Sequence, residues 1–85
     1  VSPSEMKLWA TKTTALACEN LMLALRAHGF DSCPLEGFDE VRIRKILKLP
    51  RNQSVVMIVA AGKRADDGVY GAQFRFDAKR FVHFV

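Results

Sequence analysis

Apolar residues crowd the first third of the chain, and they do so at helical spacing. Ser2, Pro3 and Glu5 have the order of an N-cap, a first helical residue and a capping-box partner, and Met6, Leu8 and Trp9 follow. No breaker interrupts the pattern until Gly29, which suits a helix stop. The pattern predicts a helix from about Pro3 to Ala27, roughly 37 Å long at 1.5 Å per residue. From Ala15 to Leu25 it is apolar on nearly every side, broken mainly by Glu19 and Asn20. A helix of that kind is buried all round. A compact domain of 85 residues has a radius of gyration of only about 12 Å, so the rest of the chain cannot cover this helix. Further protein around it is expected: an N-terminal part, a second copy, or both.

Later elements are shorter. Phe30 to Cys33 reads as extended, because a residue before proline avoids the helical region and Pro34 follows. Asp39 caps a second helix, Glu40 to about Lys48, with Phe38 and Ile43 placed for a hydrophobic staple and Pro50 as the stop. Ser54 to Ala61 is a continuous, β-branched run that fits a central strand. Asp67-Gly68 has the chemistry of a tight turn with positive φ. Arg80 to Val85 is apolar enough to be a terminal strand, and such a strand seeks a neighbour. The fold class expected is α+β.

Composition narrows the function classes. An apolar share of 49% argues against disorder. The net charge of +4 favours anionic partners. It comes with no aromatic stacking platform and no clustered basic stripe, so nucleic-acid binding is not expected. Cys18 and Cys33 form no metal-ligand spacing and read as reduced thiols in a cytoplasmic setting. No apolar run is long enough for a membrane span, and no metal site is expected.

Three stretches carry a resemblance. They are Ala17 to Phe30; Ser32-Cys33-Pro34-Leu35-Glu36-Gly37-Phe38-Asp39 with Ile46-Leu47-Lys48-Leu49-Pro50; and Val55 to Arg64, an apolar strand ending in a glycine and two basic residues. In this order and spacing they resemble the C-terminal half of FMN-dependent nitroreductases. The resemblance implies a partial nitroreductase-like α+β fold over residues 1–85, with the N-terminal half absent. It implies a long buried helix, a short helix, antiparallel strands and a C-terminal strand exchanged with a partner. It implies a homodimer, or a complex with the missing half, with FMN at the subunit interface. NAD(P)H would reduce the flavin, and the flavin would reduce a nitroaromatic, a quinone or a related acceptor. A chain without the N-terminal half would be inactive alone. The alternative is a non-catalytic dimerisation or interaction module that keeps part of the fold.

The resemblance also nominates residues. Pro34, Leu35, Glu36 and Gly37 match the family segment along the flavin ring, where backbone N–H groups bond its edge. Without the resemblance, the same residues read as a turn between a strand and a capped helix. Arg75 matches a C-terminal basic contact to the FMN phosphate, and a guanidinium fork suits that group. The second basic position, two residues earlier, is Gln73 here. Lys63 and Arg64 are alternative phosphate ligands or a solvated strand end. Glu19, Asn20, Cys18 and Trp9 read as structural. His28 and His83 have no nucleophile or carboxylate beside them, and no residue is assigned to catalysis.

Overall fold

The computed structural model describes residues 1–85. Helix α1, Pro3–Ala27, is followed by strand β1, Asp31–Leu35, helix α2, Glu40–Leu47, and strand β2, Ile58–Gly62. A single 3-10 turn, Ala78–Arg80, follows. β1 and β2 form a two-stranded antiparallel sheet with Asp31 opposite Gly62 and Leu35 opposite Ile58. The α+β expectation and its antiparallel pairing therefore hold.

The expected bounds of α1 are met at both ends. The Ser2 hydroxyl accepts from the Glu5 N–H at 3.2 Å, and the Glu5 carboxylate accepts from the Ser2 N–H at 2.7 Å. This reciprocal pair satisfies two otherwise orphaned donors. At the other end Gly29 adopts φ +83. Its N–H donates to Arg26 and that of Phe30 to Leu25, a Schellman closure. Asp39 caps α2 as expected, accepting from the Arg42 N–H at 3.2 Å. The stop of α2 is not Pro50 alone. Lys48 takes the left-handed conformation, φ 54 and ψ 46, and ends the helix two residues earlier.

Burial is where the single chain departs from a closed domain. No residue is fully buried. Thr11, Ala15, Cys18, Met22 and Leu25 are half-buried, and their alternating spacing of four and three marks the face of α1 that lies on the sheet. Trp9, Leu16 and Leu23 recur every seven residues on the far side and remain 61%, 70% and 61% exposed. The long helix expected to be buried is thus covered on one face by its own chain. The radius of gyration is 16.5 Å, against about 12 Å for a compact domain of this length. The accessible surface is 7974 Å², where a folded monomer of this mass exposes about 5,000 Å².

Three local expectations are corrected. β2 begins at Ile58 rather than Ser54, because β1 ends at Leu35 and offers nothing for earlier residues to pair with. It is one strand of two and only half-buried, not a central strand covered on both faces. Gly68 closes a turn by donating to the Ala65 carbonyl at 2.9 Å, with Gly29 the only glycine at positive φ. Arg80–Val85 forms no strand within the chain. Asp77 caps the 3-10 turn through the Lys79 N–H, the Phe81 and Val82 N–H groups donate back to the Ala78 carbonyl, and none of the residues beyond joins a strand.

Gly29→Ala tests the reversal after α1. An L side chain in that conformation costs about 1–2 kcal/mol, and the added Cβ would sit 3.4 Å from Lys63 Nζ. Urea unfolding followed by circular dichroism is expected to show a loss of that size.

Candidate functional site

The residues nominated by sequence fall at opposite ends of the ladder. Lys63 and Arg64 follow β2 at the Asp31–Gly62 end. Pro34 and Leu35 close the other end, opposite Val59 and Ile58, and Glu36 and Gly37 run on from there. At about 3.3 Å per residue, the length of β1 separates the two groups by about 13 Å.

At the first end the cations take part in the fold. The Lys63 ammonium donates to the Gly29 carbonyl and sits 4.7 Å from the centre of the Phe30 ring. Asp31 holds the junction together. Its Oδ2 accepts from the Arg64 backbone N–H at 3.0 Å, and its Oδ1 accepts from Arg26 Nη1 at 3.1 Å. The Arg64 N–H holds the Asp31 carboxyl below its usual value against the opposing effect of desolvation, and the charges of Arg26, Arg64 and Lys63 add to the lowering. The Arg64 guanidinium makes no hydrogen bond or ion pair of its own. Beside it opens a cleft of about 680 Å³ that also includes Ser32 and the exposed Cys33.

At the second end the backbone itself is available. The N–H groups of Glu36 and Gly37 donate to nothing in the chain. Nothing lies within 4 Å of the place a Gly37 side chain would take. Two adjacent free donors suit the acceptor edge of a flat heterocycle, and glycine puts no side chain in the way of a close backbone approach. Pro34 and Leu35 anchor the run to β2, and the Asp39 cap fixes its far end.

Arg75 belongs to neither group. It lies in a stretch without regular structure, and its Nη1 donates to the carbonyl of the adjacent Phe74 at 3.0 Å. Its neighbours form a small aromatic cluster: Phe74 and Phe76 meet edge-on at 5.3 Å, with the Arg80 guanidinium 4.7 Å over Phe76. His28 Nδ1 donates to the Ala24 carbonyl at 2.8 Å and finishes the helix end.

The role of Asp31 was not foreseen from sequence. Asp31 reads only as one residue of an extended segment, and its partner Arg64 lies far along the chain.

The Asp31 interaction has a pH signature. A carboxyl held below its ordinary 3.8 contributes stability above about pH 4 and loses it as pH falls through the folded value. Asp31→Asn is therefore expected to lower the urea midpoint at pH 7, with the gap to the parent closing near pH 2. Equal midpoints at neutral pH would remove Asp31 from the set of stabilising residues.

Comparison with known proteins gives this geometry a setting. Residues 1–63 match the pattern of the Nitroreductase family. Protein DrgA of Synechocystis sp. is 43% identical over 58 residues, which cover 68% of this chain and 28% of DrgA. A Thermus thermophilus protein named NADH dehydrogenase is 39% identical over 62 residues, covering 73% of this chain and 30% of that protein. Among solved structures, a candidate NAD(P)H:FMN oxidoreductase of Staphylococcus epidermidis superposes with a TM-score of 0.87 at 30% identity. That superposition covers 100% of this chain and 39% of the other. The candidate nitroreductase YdfN of Bacillus subtilis gives 0.82 at 29% identity, covering 89% of this chain and 37% of its own. The chain thus spans about a third of the length of the relatives it matches.

Proposed function

The chain belongs to the nitroreductase family, and on that footing we propose that it forms part of an FMN-dependent NAD(P)H oxidoreductase that reduces nitroaromatics, quinones or related acceptors. The observation that carries the reading is the run Pro34–Gly37. It leaves two backbone donors without a partner in the chain at the end of a strand, beside a glycine whose side-chain position is open. These residues fit the polar edge of a flavin ring. Bound FMN would supply hydride transfer, the part of the chemistry that protein side chains cannot perform. The chain's own contribution is to hold and orient: Glu36 and Gly37 N–H groups at the ring edge, and a cation at the phosphate.

Arg75 is the preferred phosphate ligand among the nominated cations. Lys63 is engaged by the Gly29 carbonyl and the Phe30 ring, whereas Arg75 bonds only its neighbour's carbonyl and is exposed. Arg64, with its free guanidinium, is the alternative. FMN titrated into the purified chain, followed by visible absorbance and flavin fluorescence, tests the cofactor reading. If binding occurs, Arg75→Ala is expected to weaken it roughly tenfold or more, and Lys63→Ala less. A loss confined to Lys63→Ala or Arg64→Ala would move the phosphate to the β2 end. An intact fold that never perturbs the flavin spectrum would favour the non-catalytic module instead.

The same reading includes a homodimer, or an assembly with further polypeptide of the same enzyme. Its support is the exposed stripe of Trp9, Leu16 and Leu23 and the exposed tail residues Phe81, Val82, Phe84 and Val85. Apolar burial is worth about 25 cal/mol per Å², so covering even a few hundred Å² of this surface contributes several kcal/mol. No helix is long and apolar enough to cross a membrane, so a bilayer is not the cover proposed. Both cysteines are free, as suits the reducing, cytoplasmic setting proposed here. Light scattering after size exclusion at micromolar concentration is expected to give at least two chain masses, and deletion of Arg80–Val85 to weaken the assembly. A folded species of one chain mass would overturn this part of the reading.

A further inference from the structure

A cluster of cations lies on α2 and the turn after it, apart from the flavin-edge run and from Lys63, Arg64 and Arg75. Arg44, Lys45 and Lys48 share one face of α2, and Arg51 comes round from the turn to join them. With Val41 and Leu49 they line a groove of about 620 Å³ that contains no acidic residue. The nearby acids are occupied: Asp39 pairs with Arg42 at 3.4 Å, and the Glu40 carboxylate accepts from the Val55 N–H at 3.3 Å. Arg44 is also committed, donating to the carbonyls of Gln53 and Pro50. Lys45, Lys48 and Arg51 have no partner in the chain.

Two ordinary explanations cover part of this pattern. Cations in the last turn offset the negative end of the helix dipole, which accounts for Arg44 and Lys45. A charged face is also a soluble face. Lys48, the C-cap, gains from the same dipole but adds a feature that neither explanation covers. It occupies the left-handed position that ends α2, where a residue other than glycine is strained. Glycine would end the helix with less strain, yet a lysine stands there and adds its charge to the groove.

We propose that this groove binds a phosphomonoester dianion, the 2′-phosphate of NADPH, and so favours the phosphorylated form of the nicotinamide cofactor. The proposal rests on the NAD(P)H chemistry put forward above. α2 starts three residues after Gly37, and at about 1.5 Å per residue Lys45 and Lys48 lie about 8 and 12 Å along the helix from its first residue. A nicotinamide dinucleotide has the same layout, with its 2′-phosphate remote from its reacting ring. Lysine ammoniums supply point charge to a phosphate, and the free Arg51 fork can bond two of its oxygens.

The experiment uses the full chain with NADP⁺, NAD⁺ and inorganic phosphate as probes, following backbone amide shifts of Lys45 to Arg51 by NMR. NADP⁺ is expected to bind about fivefold more tightly than NAD⁺, the scale of two exposed charge pairs. The preference should grow as pH rises through about 6, where the phosphomonoester takes its second charge, and shrink in high salt. Lys48→Gly is the decisive variant. It relieves the left-handed strain, so the fold should be at least as stable, yet the preference for NADP⁺ should fall. Lys45→Gln should act in the same direction. Equal affinities for NADP⁺ and NAD⁺ would overturn the proposal, as would a preference unchanged in Lys48→Gly. Shifts with inorganic phosphate as large as those with NADP⁺ would also overturn it, assigning the groove to free phosphate. FMN titration of Lys48→Gly is a separate readout. A chain that keeps the NADP⁺ preference but never binds flavin upholds the groove and defeats the flavin reading.

Discussion

Three elements meet at one carboxylate. Asp31 receives a side-chain hydrogen bond from α1 through Arg26 and a backbone hydrogen bond from the end of β2 through Arg64. It is itself the first residue of β1. Two residues before it, Gly29 turns the chain out of the helix, and Lys63 reaches back to the Gly29 carbonyl. The register of the sheet starts from this junction. With Asp31 fixed opposite Gly62, every later pair in the ladder follows, down to Leu35 opposite Ile58. The position of Glu36 and Gly37 is therefore set at the opposite end of the strand from the residues that determine it. A buried core does not enforce this arrangement, because the chain has none. A short polar knot does so instead.

Features written in adjacent residues were legible in the sequence. The capping box at Ser2 and Glu5, the stop at Gly29, the Asp39 cap and the extended residue before Pro34 all depend on neighbours within a few positions. The structure shows each of them. Features that depend on distant partners were less legible. The start of β2 is decided by where β1 ends, and the run Ser54–Met57 gives no sign of that. Lys63 was considered as a ligand for a phosphate, but its ammonium lies on a ring and a carbonyl more than thirty residues back. Lys48 is an ordinary lysine in sequence, and only the backbone shows its left-handed turn. At the candidate site, the glycine-bearing run was recognisable. That its two N–H groups are free depends on the hydrogen bonds of the whole chain, which adjacent residues do not specify.

The surface divides into two kinds. One is apolar and continuous with the fold: the far face of α1 and the aromatic tail, which share the chemistry of a core without a partner in the chain. The other is polar and local, comprising the open donors after β1 and the cations on α2. The first kind bears on what surrounds the chain and the second on what it binds. α1 separates them, resting one half-buried stripe on the sheet and presenting the other outward. A substitution at Met22 or Cys18 therefore acts on the sheet and the junction, whereas one at Leu16 or Leu23 leaves them untouched.

Residues 36–57 form a loop whose two ends are clamped by the last pair of the ladder, Leu35 and Ile58. α2 rides on that loop and packs against neither α1 nor the sheet; its ties are hydrogen bonds to residues 50–55 of the same loop. Closing a loop costs chain entropy that rises only logarithmically with length, about 0.6 kcal/mol for a doubling. Residues could be inserted, deleted or exchanged along α2 at little thermodynamic cost to the ladder. Evolution can thus vary this segment nearly independently of the scaffold, provided Pro34 to Gly37 at its root stay in place.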